Sequence, residues 1–124
     1  MGQHLIIDGY DVVSKKKLDD LDYIYRLLDD LPKMIGMDVM IPPIVCKCKV
    51  ANNLGITGVT IITTSHLTIH TWPDRNYFSF DCYSCQKFDE EFVISEVRRR
   101  FEPCNLITTV FERELPAIGE KHGR

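Results

Sequence analysis

The sequence predicts an α+β two-layer sandwich, an antiparallel sheet with two main helices packed on one face. Three observations carry this. Extended, β-branched runs recur along all 124 residues, only two stretches have helical periodicity, and most of the extended runs follow one another through tight turns.

His4-Leu5-Ile6-Ile7-Asp8-Gly9-Tyr10 reads as the first strand, with Asp8-Gly9 at its end or at a bulge. Leu18, Leu21, Ile24, Leu28, Leu31 and Ile35 then recur at steps of three and four, so a helix with one apolar face is expected, ended or kinked by Pro32 and stopped by Gly36. Pro42-Pro43 marks entry to a second strand over Ile44–Val50. Asn52-Asn53-Leu54-Gly55 turns the chain into a third strand, Ile56–Thr64, completing a hairpin. His66–Trp72 continues extended, Pro73–Asn76 turns, and Tyr77–Ser84 returns with Phe78, Phe80 and Cys82 alternating against Ser79, Asp81 and Tyr83. Phe88, Phe92, Val93, Val97 and Phe101 define the second helix, Pro103 stops it, and Asn105–Phe111 is the final strand. His4-Leu5-x-Ile is echoed by His66-Leu67-x-Ile, one in each half of a single domain spanning 1–124. The sheet face away from the helices carries Trp72 and several other aromatics and calls for a partner or ligand.

Composition excludes several classes. At 44% hydrophobic and 27% charged the chain is an ordinary globular protein, and a formal charge of -3 argues against a dedicated nucleic-acid binder. No apolar run approaches the length of a membrane helix, and Gly2-Gln3-His4 lacks the basic start of a secretory signal. Five cysteines, an odd number, fit a reducing compartment, so a cytoplasmic location is expected.

Chemistry concentrates at Thr63-Thr64-Ser65-His66-Leu67-Thr68-Ile69-His70-Thr71-Trp72-Pro73. In an extended run His66, Thr68 and His70 fall on one face and Leu67 and Ile69 on the other, so two imidazoles are expected to share a surface with the serine. Ser65 lacks the Gly-x-Ser-x-Gly elbow of hydrolases, and His66 and His70 lack the glutamate of a helical zinc motif. Cys46-x-Cys48 and Cys82-x-x-Cys85 offer four thiolates for zinc. On strands, however, Cys46 and Cys48 share a face while Cys82 and Cys85 do not, and no metal is expected. Cys46, Cys48 and Cys104 are expected to be buried structural thiols. Lys15-Lys16-Lys17 and Arg98-Arg99-Arg100, each flanked by acids, read as a solvated loop and a solvated helix face.

With Asp81-x-x-x-Cys85 downstream, the block Ser65–Pro73 resembles that of the small prokaryotic S-adenosylmethionine decarboxylases. The likeness extends to Gly2-x-His4-Leu5 and to Gly55-Ile56-Thr57-Gly58. What it implies is specific: a cytoplasmic, self-processing enzyme that cleaves between Thr64 and Ser65 into a β chain of 1–64 and an α chain of 65–124. Ser65 becomes a pyruvoyl group that forms a Schiff base with the substrate amine, and cleaved protomers form homodimers. His70 matches the processing base, Thr57 stands where a serine assists processing, and Cys85 matches the proton donor. Asp8 and His66 are the candidate substrate contacts. The resemblance implies decarboxylation of S-adenosylmethionine to the aminopropyl donor of spermidine synthesis.

Two departures bear on this reading. Thr64 stands where the family commonly has glutamate, which bears on the processing rate. No aromatic residue occupies the region of Lys49-Val50-Ala51, where bacterial members stack on adenine. Arginine or ornithine as the substrate of the same machinery, or an uncleaved non-enzymatic paralogue, are the alternatives.

Overall fold

The computed structural model describes residues 2–119. Six strands form one antiparallel sheet: β1 (Gly2–Val12), β2 (Val39–Cys48), β3 (Gly55–Ile62), β4 (Ser65–Trp72), β5 (Tyr77–Ser84) and β6 (Pro103–Arg113), in the order β2-β3-β4-β5-β1-β6. Two helices, α1 (Leu21–Met34) and α2 (Glu90–Phe101), cover one face. This is the predicted α+β sandwich. Its core lies between Leu5, Ile7, Leu67, Ile69, Phe78 and Phe80 of the sheet and Ile24, Leu28, Leu31, Val93, Val97 and Phe101 of the helices, all at most 1% exposed. Among the described residues no helix is long and apolar enough to cross a membrane.

The strands differ from expectation mainly at their ends. β2 begins at Val39 and carries Pro42-Pro43 within it, which an edge strand tolerates because register shifts flank the prolines. Pro103 opens β6 as well as following α2. The expected continuous first helix is divided. Residues Lys15–Asp19 form a 3-10 turn, and α1 starts after extended Asp20, whose carboxylate accepts the N–H groups of Asp22 and Tyr23. Pro32 sits in the last turns of α1 without ending it. Strand and helix approach closely at Gly58, where a Cβ would lie 2.6 Å from a terminal methyl of Leu28 of α1, so a larger residue would force that side chain to shift. Thr57, the neighbouring residue of β3, alternates onto the opposite face.

Arg100 does not belong to a solvated face. It is 12% exposed and bonds Glu96 within α2 and Asp30 of α1, at 2.9 and 3.1 Å. The Glu96 carboxyl is held down at about 2, chiefly by the hydrogen bond from Arg99, with Arg100 adding to it against the opposing effect of burial. A depressed carboxyl stabilises the fold above its ordinary 4.5 and loses that contribution as pH falls toward about 2. Glu96→Gln is therefore expected to cost about 2 kcal/mol at neutral pH and to flatten the loss of stability below pH 4.5, read from melting curves across pH.

Candidate active site

Thr63-Thr64 is the two-residue turn joining β3 to β4, with Ile62 paired to Ser65. Such turns favour positive φ, usually supplied by Gly or Asn. Here Thr64 has φ 52, which for a β-branched residue stores about 1–3 kcal/mol. The strain falls on the residue whose carbonyl is bonded to Ser65.

Three polar groups converge on that turn. Ser65 Oγ lies 3.1 Å from the Thr63 carbonyl oxygen and 3.1 Å from Ser84 Oγ. Ser84 is fully buried and also accepts the Gln86 N–H at 2.9 Å. Cys85, half-buried just beyond β5, contacts Thr64 Oγ1 through its Sγ. The predicted cleavage point, its serine and the predicted proton donor thus form one cluster.

The histidines are elsewhere. Ser65 is the first residue of β4 and, with Leu67 and Ile69, points to the helix side, whereas His66 and His70 alternate onto the open face. The expectation that serine and imidazoles share a surface is therefore corrected. It counted alternation from residue 66 and overlooked that 65 has the parity of Leu67. His70 pairs in register with Thr57 and its Nδ1 lies 2.9 Å from Thr57 Oγ1. This second cluster lines a cavity of about 160 Å³ with Gly55, Cys48 and Trp72. Five residue steps of extended chain separate Ser65 from His70, roughly 16 Å along the strand.

The open face continues as an aromatic run. Trp72 stacks on Tyr77 with ring centres 5.2 Å apart, and Tyr77 on Tyr10 at 5.0 Å. Tyr77 Oη donates to Asp8 at 2.7 Å, and burial together with that carboxylate pushes the phenol above its usual range. His66 and His4 flank Tyr83 on neighbouring strands, giving the repeated His-Leu-x-Ile a structural counterpart. Burial, and then His4, lowers the His66 pKa below 6.5, so it faces the open side mainly as a neutral ring near pH 7.

The cysteines do not assemble. Cys46 and Cys48 lie on β2, and β3 and β4 separate them from β5, where Cys82 points into the core with its thiol pushed up to about 12 by burial and Asp81. Cys46, Cys48 and Cys104 are exposed instead of buried, because both of their strands lie at sheet edges. Sequence reasoning missed Ser84 and Tyr77. For Ser84 the signal was present: a polar residue at an inward position of β5, in phase with Phe78, Phe80 and Cys82. Tyr77 was legible as an aromatic in phase with Trp72 only once the pairing of β4 and β5 was known.

This six-stranded sheet with two helices on one face is the fold of an adenosylmethionine decarboxylase from Aquifex aeolicus, whose crystal structure superposes with a TM-score of 0.81 at 23% identity over 98% of both chains. A Trypanosoma brucei AdoMetDC monomer shares the fold with a TM-score of 0.60, at 18% identity over 87% of this chain and 45% of that one. The sequence carries the assignment further. The family model described as S-adenosylmethionine decarboxylase matches residues 3–114, and the chain belongs to that family. An S-adenosylmethionine decarboxylase proenzyme of Methanococcus vannielii is 30% identical over 97% of this chain and 95% of its own length. One from Bacillus cereus is 40% identical over 68% of this chain and 62% of its own.

Proposed function

We propose that the chain is a self-processing, pyruvoyl-dependent decarboxylase that converts S-adenosylmethionine to the aminopropyl donor for spermidine synthesis, acting in the cytoplasm. The observation that carries this reading is the strained Thr64 peptide, with Ser65, Ser84 and Cys85 gathered around it in a member of a family of named proenzymes.

Processing needs only the chain's own groups. Ser65 Oγ attacks the Thr64 carbonyl carbon through a five-membered ring, and collapse with departure of the amide nitrogen leaves an ester. Removal of the Cα proton of residue 65 then eliminates the Thr64 carboxylate, and water replaces ammonia on the dehydroalanine to leave a ketone at the new amino terminus. Release of the left-handed turn favours the ester. Thr64→Gly is expected to melt at higher temperature and to cleave about tenfold more slowly, the equivalent of ~1.4 kcal/mol of lost strain. An unchanged cleavage rate would show that turn strain does not drive the reaction.

The residues present fit a pyruvoyl group, since residue 65 would begin the α chain at the start of β4 with Ser84 and Cys85 beside it. When formed, that group supplies the electron sink for the charge left by departing carbon dioxide. Cys85 holds a proton at Sγ for the substrate α-carbon.

The proton-abstracting base is His70, paired with Thr57, but in one protomer this pair faces away from Ser65. We therefore assign it to a second copy in a homodimer. The open face supports the pairing, with Ile107 and Phe111 of β6 about half exposed and Tyr10 and Ile61 more than a third exposed. Packing through the open faces would bring Thr57 and His70 of each copy into the dimer interface.

His70 and Trp72 also supply an aromatic surface beside the cavity, with ring centres 6.1 Å apart, where Lys49-Val50-Ala51 offers none. That surface suits the flat adenine of S-adenosylmethionine, which ornithine lacks. Release of labelled carbon dioxide from the three substrates in competition tests the choice. Only S-adenosylmethionine should be consumed, and preferential turnover of arginine or ornithine would overturn it.

A further inference from the structure

The Lys15-Lys16-Lys17 run does not simply face solvent. The 3-10 turn brings Lys15 and Lys16 against Lys47 and Lys49 at the end of β2, and these four line a cavity of about 400 Å³ with Asp19 and Asp74. Lys17 leaves the group and lies over the Tyr23 ring. Lys47 pairs with Asp19 at 3.1 Å and Lys15 with Asp74 at 3.2 Å. Among the described residues neither Lys16 nor Lys49 has an ion-pair partner, so four ammonium groups face two carboxylates. This excess of positive charge stands in a chain whose formal charge is -3.

We propose that this cavity binds a small phosphate anion of two or more charges, of the pyrophosphate or nucleoside polyphosphate class. Two segments far apart in sequence supply the lysines, and a concave site holds an anion against several ammonium groups at once, as a convex solvated face cannot. Lysine is a compact point charge with three donors and suits tetrahedral phosphate oxygens. The Lys15–Asp74 pair is exposed on both sides and worth at most about 1 kcal/mol, so it rearranges cheaply around an incoming anion. Leu54 and Pro73 give the cavity an apolar floor. A substrate carrying a sulfonium and an ammonium would be repelled here, which separates this site from the decarboxylation site. The two are neighbours nonetheless, since Cys48 and Gly55 line this cavity and also the one holding Thr57 and His70.

Calorimetric titration of the purified full-length protein with pyrophosphate, ATP and acetate tests the proposal. Pyrophosphate and ATP should both bind and singly charged acetate should not, with affinity falling steeply between about 50 and about 200 mM salt. Joint replacement Lys16→Gln and Lys49→Gln should weaken both anions by about tenfold, whereas Lys33→Gln at the far end of α1 should leave them unchanged. Both substituted lysines are exposed, and an unaltered melting curve would establish that the double variant is folded. Should it prove unfolded, protection of Lys16 and Lys49 from acetylation by pyrophosphate in the unmodified protein decides the matter. The proposal is overturned by absence of binding, by equal binding to the double variant, by acetate binding as well as pyrophosphate, or by a short RNA competing better than pyrophosphate.

Discussion

Chains carrying Ser65→Ala or His70→Ala are expected to stay whole when each is produced alone, and co-expression of the two to restore cleavage in only one of them. Ser65→Ala removes the proposed attacking oxygen, so its loss should be complete. His70→Ala removes the proposed base for elimination and should slow cleavage by about 10²–10⁴. In the mixed dimer the Ser65→Ala chain still carries His70, and the His70→Ala chain still carries Ser65. Cleavage of the His70→Ala chain is expected, because within one protomer His70 lies roughly 16 Å along β4 from Ser65 and is assigned to the second copy. Differently tagged chains separate the outcomes on a denaturing gel. If the co-expressed His70→Ala chain remained uncut although His70 supports cleavage in the unmodified protein, the base would have to act within its own protomer.

Cys85→Ala should have the opposite profile. The chain should still be cut, because neither Ser65 nor His70 is touched, but decarboxylation should fall by about 10²–10⁴ with the loss of the proposed proton donor. Cys85 is fitted for that role by its place beside the turn. Cys82, three residues earlier, is fully buried with its thiol pushed up to about 12, and Cys82→Ala should alter stability instead of turnover. Equal turnover by the Cys85→Ala protein would place the donor elsewhere.

The fold was legible where the side-chain period was clean. Tyr77–Ser84 alternates without interruption and forms β5 with those bounds, and the paired turns around it predicted the antiparallel sheet. Where one short-range interaction competes with a period, the reading failed: the Asp20 side chain caps α1 and divides a helix that Leu18 and Leu21 suggested was continuous. The site was legible as residue types and illegible as geometry. Ser65, Thr57, His70 and Cys85 were all singled out, yet which face each occupies depends on a parity fixed by the Thr63-Thr64 turn. Of the basic triplets only Arg100 departs from the solvated reading, since Lys15, Lys16, Arg98 and Arg99 are exposed. Whether an arginine is solvated depends on what the fold brings beside it, and Asp30 beside Arg100 is distant in sequence.

Intact mass of the purified, unmodified protein under denaturing conditions tests the central claim most directly. Two chains, 1–64 and 65–124, are expected, with the second starting in a ketone that borohydride reduces and with masses that sum to the uncut chain plus one water minus one ammonia. A single species at 14.4 kDa with no reducible carbonyl would contradict the account.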